Sequence, residues 1–207
     1  MRIGSENISL LRRFGLNKVI FYLTMSDVFT WGLYMVLNSF IGLYLAHKFG
    51  GQAIEVVGIG VAMFNFSKGF FQIPIGLLTD KIEKDRDDIF VLCVGNIMMG
   101  LPYILLPFIT TPVFYYVAMF LVGLGASMNL VNWRKIFAKN LVKDKEGFNY
   151  AVYDTTMSAS MVFFGLILGY AFSLGEKWFD LIMFLIGIGI ISSGFWVVLI
   201  YFNRSKK

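Results

Sequence analysis

Apolar positions along the chain gather into six long runs separated by short polar patches. A run of about 20 apolar residues is what a helix needs to cross a bilayer. The runs predict membrane helices at about 18–46, 54–79, 88–109, 112–139, 148–173 and 178–202. The expected fold is therefore an all-α membrane protein, a bundle of six transmembrane helices over residues 18–202. A short N-terminal segment (1–17) precedes it, and a basic tail (203–207) follows.

Within the runs, polar side chains are unevenly shared. The third helix carries Asn96 as its strongly polar interior residue, and the sixth only Ser192 and Ser193, so both are expected at the periphery. The other four carry stripes. In the first, Asp27, Trp31, Tyr34 and Asn38 recur at i, i+4, i+7 and i+11, one helix face. Asn65, Lys68 and Gln72 share a face of the second, and Asn129 and Asn132 of the fourth. In the fifth, Tyr150, Asp154, Ser158 and Met161 continue to Gly165 and Gly169. Lipid-facing surfaces are apolar, so these stripes point to a protein interior or a wet cavity.

Asp27 and Lys68 both fall near the middle of a hydrocarbon core about 30 Å thick. Two readings stay open: a structural ion pair, or a proton or substrate site, since an ionisable residue at that depth marks function. Arg134 and Asp154 lie at matching depth on sequence-adjacent antiparallel helices, which predicts a structural pair.

Composition supports the membrane reading. The chain has 207 residues, 57% hydrophobic and 15% charged, where soluble domains carry about 25% charged residues. The net charge of +5 would suit nucleic acid, but its placement argues for topology. Arg2, Arg12, Arg13 and Lys18 precede the first helix, and Lys81, Lys84 and Arg86 follow the second. Arg134, Lys135, Lys139, Lys143 and Lys145 surround the fourth-to-fifth connection, and Arg204, Lys206 and Lys207 end the chain. That puts 15 of 18 basic residues on one side. By the positive-inside rule this side is cytoplasmic and both termini lie there, in a cell membrane (plasma or inner), with no nucleic-acid partner.

Catalytic chemistry finds little support. The first apolar run is too long for a cleavable signal, and no A-x-A site follows. Cys93, the sole cysteine, reads as a small packing residue. His47, the sole histidine, reads as a solvated loop residue and cannot anchor a metal site alone. No P-loop, dinucleotide fingerprint or Cys/His cluster occurs. No enzyme, cofactor or metal is expected.

One connection stands out. "IGLLTDKIEKDRDDIF", residues 75–90, holds eight charges between Asp80 and Asp88. At this place between a second and third helix, the major facilitator superfamily of transporters carries G-x-L-a-D-[RK]-x-G-[RK]-[RK]. Gly76, Leu78, Asp80, Lys81 and Lys84 match; Glu83 and Asp85 depart from the pattern. "FLVGLGASMNLVNWRKIFAKNL" resembles the family's fourth helix, and "MSASMVFFGLILGYAF" its glycine-rich fifth, without the Gly-Pro pair. The resemblance spans about residues 18–202. It implies a half-fold of 3+3 inverted repeats, with a cavity lined by the first, second, fourth and fifth helices. It also implies a cytoplasmic gating network of Gly76, Leu78, Asp80, Lys81, Lys84 and Arg134, joined by Asp154.

Such transporters pair two six-helix bundles around the substrate, and this chain supplies six helices. The expectation is a transporter, or half-transporter, moving a small organic solute by alternating access with proton coupling. Its partners would be lipid, the solute, protons, and either a second copy or another six-helix half. The alternatives are a fragment of a twelve-helix transporter and a non-transporting membrane subunit.

Overall fold

The computed structural model describes residues 17–81 and 85–204. Among them six helical segments are long and apolar enough to cross a membrane, and the described residues hold no strand. Helix α1 is built in pieces: Lys18–Asp27, a π-helical turn at Val28–Gly32, then Leu33–Asn38. A turn at Ser39–Phe40 separates these from a last piece, Ile41–Phe49. Then come α2 (Ala53–Lys81), α3 (Asp85–Leu105), α4 (Pro112–Lys139) and α5 (Glu146–Ser173). The last, α6, is split at Ser193 into Phe179–Ser192 and Gly194–Arg204.

Local chemistry sets the ends. The Asn17 side chain accepts from the Val19 amide at 3.0 Å and caps α1. Pro112 opens α4, where its missing N–H costs nothing. Gly175, at φ 104°, turns the chain after α5.

Packing is closest where glycines let backbones touch. A Cβ on Gly125 would lie 2.7 Å from the Gly95 carbonyl, and one on Gly187 would lie 2.8 Å from the Gly100 carbonyl. Helix α3 is thus pressed against α4 on one side and α6 on the other, as small residues permit in membranes. Helices α3 and α6 form the back of the bundle. In front, α1 and α4 form a floor flanked by α2 and α5, and these flanks are bare. Of the most apolar stretch of α5 17% is buried, and of the segment containing α2 22%, against 61% for α1.

At the end away from Lys135 and Lys139, the last piece of α1 is tied to the start of α6. Asp180 accepts from the Tyr44 hydroxyl at 2.9 Å and pairs with Lys48 at 3.0 Å. His47 is no lone loop residue: its Nδ1 lies 2.8 Å from the Glu176 carboxylate.

Candidate functional site

The stripe on α1 opens into two clefts. Asp27 ends the first piece of the helix, and the π turn follows at once, carrying Trp31. Single π turns inside α-helices recur at functional sites. The first cleft, about 310 Å³, lies between α1, α4 and α5. Asp27, Trp31, Arg134 and Asp154 line it, with Trp133, Tyr153 and the methionines 35, 157 and 161. The second, about 210 Å³, lies between α1, α2 and α4, lined by Tyr34, Asn38, Asn65, Phe64 and Tyr115 among others. Trp31 packs edge-on against Tyr34 at 5.4 Å, so this aromatic pair stands between the two.

Asp27 is 2% exposed. Its Oδ2 accepts a 2.8 Å hydrogen bond from the Tyr153 hydroxyl, while Oδ1 has no partner. Tyr153 is held by ring contacts to Trp133 at 4.8 Å and Phe137 at 5.7 Å. Lys68 is not the counter-charge that matched depth suggested. Its ammonium lies 5.0 Å from the Phe64 ring on α2, and no ion pair joins it to Asp27. Matched depth fixes height along two helices but not the direction each side chain faces. Arg134 and Asp154 do line one cleft, both exposed, yet they form no ion pair within 4 Å among the described residues.

The remaining stripe residues divide. Asn65 donates to its own helix, at Val61 O, and Gln72 lies half-buried on α2. Asn132 is buried and donates to Met128 O at 2.7 Å. Asn129 belongs to a buried polar knot that the sequence pattern did not reveal. Its amide donates to Asn96 Oδ1 at 2.6 Å, and its own Oδ1 accepts from Trp31 Nε1 at 2.8 Å. Asn96 in turn donates to Ser193 at 2.8 Å and Ser26 at 3.3 Å, and Thr30 donates to Ser193 at 2.7 Å. Asn96, the single amide of a supposedly peripheral helix, thus joins α1, α3, α4 and α6. The close approach at Gly95 and Gly125 brings it there, and the knot fixes the ring of Trp31.

A third cluster sits at the basic end. Lys135 Nζ lies 3.0 Å from Asp88 Oδ1, 3.5 Å from Asp80 Oδ1 and 2.6 Å from the Thr79 carbonyl. Asp88 is 1% exposed, and its other oxygen lies 4.0 Å from Lys139. One lysine of α4 therefore clips the end of α2 to the start of α3.

A sequence model described as Major Facilitator Superfamily matches residues 21–207. The chain belongs to the major facilitator superfamily. No curated protein and no solved structure matches it. As a superfamily member it is a multi-pass membrane transporter. Its clefts draw on α1, α2, α4 and α5, and α3 and α6 line neither of them.

The loop motif of this superfamily chain is built differently from the expectation. Arg134 is absent from the Asp80 cluster, and Lys135 takes its place: adjacent residues point about 100° apart on a helix of 3.6 residues per turn. Asp88, which lies beyond the matched motif, is the buried acid that holds that lysine. Lys81 is exposed, and Lys84 lies outside the described residues. Gly76 turns toward α4, and Leu78, two residues on and about 200° round the helix, faces away from the bundle. A Cβ on Gly76 would meet only Val131, at 3.8 Å, and Leu78 is 61% exposed.

Proposed function

We propose that the chain forms one six-helix bundle of a transporter that moves a small organic solute by alternating access, coupled to protons and completed by a second six-helix bundle. Asp27 carries the reading. A carboxylate this deep in a membrane domain, with one oxygen free and a cleft beside it, suits a group that gains and loses a partner during a cycle. Trp31 and Tyr34 form the partition between the clefts. Asp154 and Arg134 stand at the same cleft, where they meet solute entering from the cytoplasmic side. The basic end is that side by the positive-inside rule, in the cell membrane.

The bare flanks supply the argument for a second bundle. Helices α2 and α5 carry Asn65, Lys68, Gln72, Asp154, Thr155 and Ser158 on incompletely buried positions, costly against lipid. A second copy related by a two-fold axis along the membrane normal would cover both flanks and close the clefts, and two-fold dimers are the commonest oligomers. Leu78 would then face the partner bundle, with the Lys135 clip holding the end of α2 in place.

The test is reconstitution in vesicles. A panel of labelled small organic solutes is offered under an imposed proton gradient, alongside crosslinking in the same vesicles. Gradient-driven movement by the wild type, with a crosslinked dimer, supports the reading. A monomer that moves no solute refutes the half-transporter.

A further inference from the structure

We propose that the cleft beside Asp27 is a site for an organic cation, a cationic solute with an aromatic or apolar body. The proposal rests on reading this cleft as the solute site and names the solute's chemistry.

The decisive feature is an acid without a protein counter-charge. Asp27 is almost wholly buried; it lines the cleft, and its Oδ1 has no hydrogen-bond partner among the described residues. Tyr153 supplies one neutral donor and no counter-charge. Lys68 pairs with Phe64 instead. Arg134 is the one basic residue lining the cleft against two acids, Asp27 and Asp154, so with both acids ionised the lining carries one net negative charge. Arg134 and Asp154 are exposed and screened at the mouth, whereas Asp27 is buried. In a low-dielectric site an unmatched carboxylate attracts a cation strongly.

The walls select what kind of cation. Trp31, Trp133 and Tyr153 line the cleft, and aromatic rings favour cations within about 6 Å. The methionines 35, 157 and 161 add flexible thioethers that adapt to varied apolar shapes. An inorganic cation would leave these walls unused. An anion would face Asp27 with no buried donor to hold it. The volume, about 310 Å³, sits at the lower end of small-molecule pockets, about 300–1,000 Å³.

The experiment uses equilibrium dialysis with the full chain in lipid nanodiscs, corrected with empty nanodiscs for partition into lipid. The probes are tetraphenylphosphonium and tetraphenylborate, alike in shape and opposite in charge. The expected result is saturable binding of the phosphonium and none of the borate. Asp27→Asn should weaken phosphonium binding at least about tenfold, while Asp27→Glu keeps it within about threefold, as loss or retention of the charge dictates. Size-exclusion profiles matching wild type establish that the variants are folded. Equal binding of the borate, unchanged binding by Asp27→Asn, or no saturable phosphonium binding would each overturn the proposal. Transport of an uncharged solute in the vesicle assay would then remain possible, so the two readings fail separately.

Discussion

Tyr153 on α5 donates a 2.8 Å hydrogen bond to Asp27 on α1, and this is the only hydrogen bond that the Asp27 carboxylate receives among the described residues. It ties a sparsely buried flanking helix to the floor of the bundle at the cleft. Tyr153→Phe keeps the ring contacts and removes the donor. Leaving a buried acceptor unsatisfied costs about 1–3 kcal/mol, so a lower midpoint is expected in thermal unfolding of the purified protein. Solute movement should fall as well, because the carboxylate loses the group that orients it. An unchanged midpoint and unchanged transport would show that the bond is idle.

Asn96 is expected to matter more than its place on an apolar helix suggests. Asn96→Leu fills similar space but takes one partner each from Asn129, Ser193 and Ser26 at once. Interhelical bonds in membranes are individually modest, about 0.6 kcal/mol on average; stranded buried donors add about 1–3 kcal/mol. Denaturant titration should register the loss. Asn96→Ala, which adds a void, should be worse.

At the basic end, two acids share Lys135 but differ in burial. Asp88 is 1% exposed and Asp80 72%. Among the described residues Lys135→Met leaves Asp88 with the distant Lys139 alone, and breaking a buried pair from one side costs about 3–5 kcal/mol. Asp80→Asn removes an exposed pair, worth about 0–1 kcal/mol. Unfolding of the two variants side by side should show a large and a small loss in that order.

Lys68→Met separates matched depth from true contact. An ion pair with Asp27 would make this substitution strongly destabilising. Contact with Phe64 alone predicts a loss of about 0.5–1 kcal/mol, the worth of a cation–π contact at an exposed site. The midpoint of Lys68→Met against wild type decides between them.

These residues show how far a single sequence reaches. The six spans were legible because a bilayer demands long apolar runs, and those runs have no other economical use. The cleft-lining helices were legible because lipid excludes polar stripes, and the Asp27–Trp31 and Tyr34–Asn38 pairs do line clefts. What escaped depends on rotation about helix axes. Depth placed Lys68 beside Asp27, and the family resemblance placed Arg134 beside Asp80, yet neighbouring positions face different ways, and Lys135 occupies the place expected of Arg134. Tyr153 escaped because the stripe on α5 was traced through its neighbour Asp154. Asn96 escaped because its partners each come from another helix, so no periodicity within one helix announces it.

The most direct measurement of the central claim is charge movement in reconstituted vesicles on a solid-supported membrane. A panel of small organic solutes is applied under a proton gradient to wild type and to folded Asp27→Asn. Solute-evoked, gradient-dependent current in the wild type and its loss in the variant is the predicted result. The same current in Asp27→Asn, or no current with any solute, would contradict it.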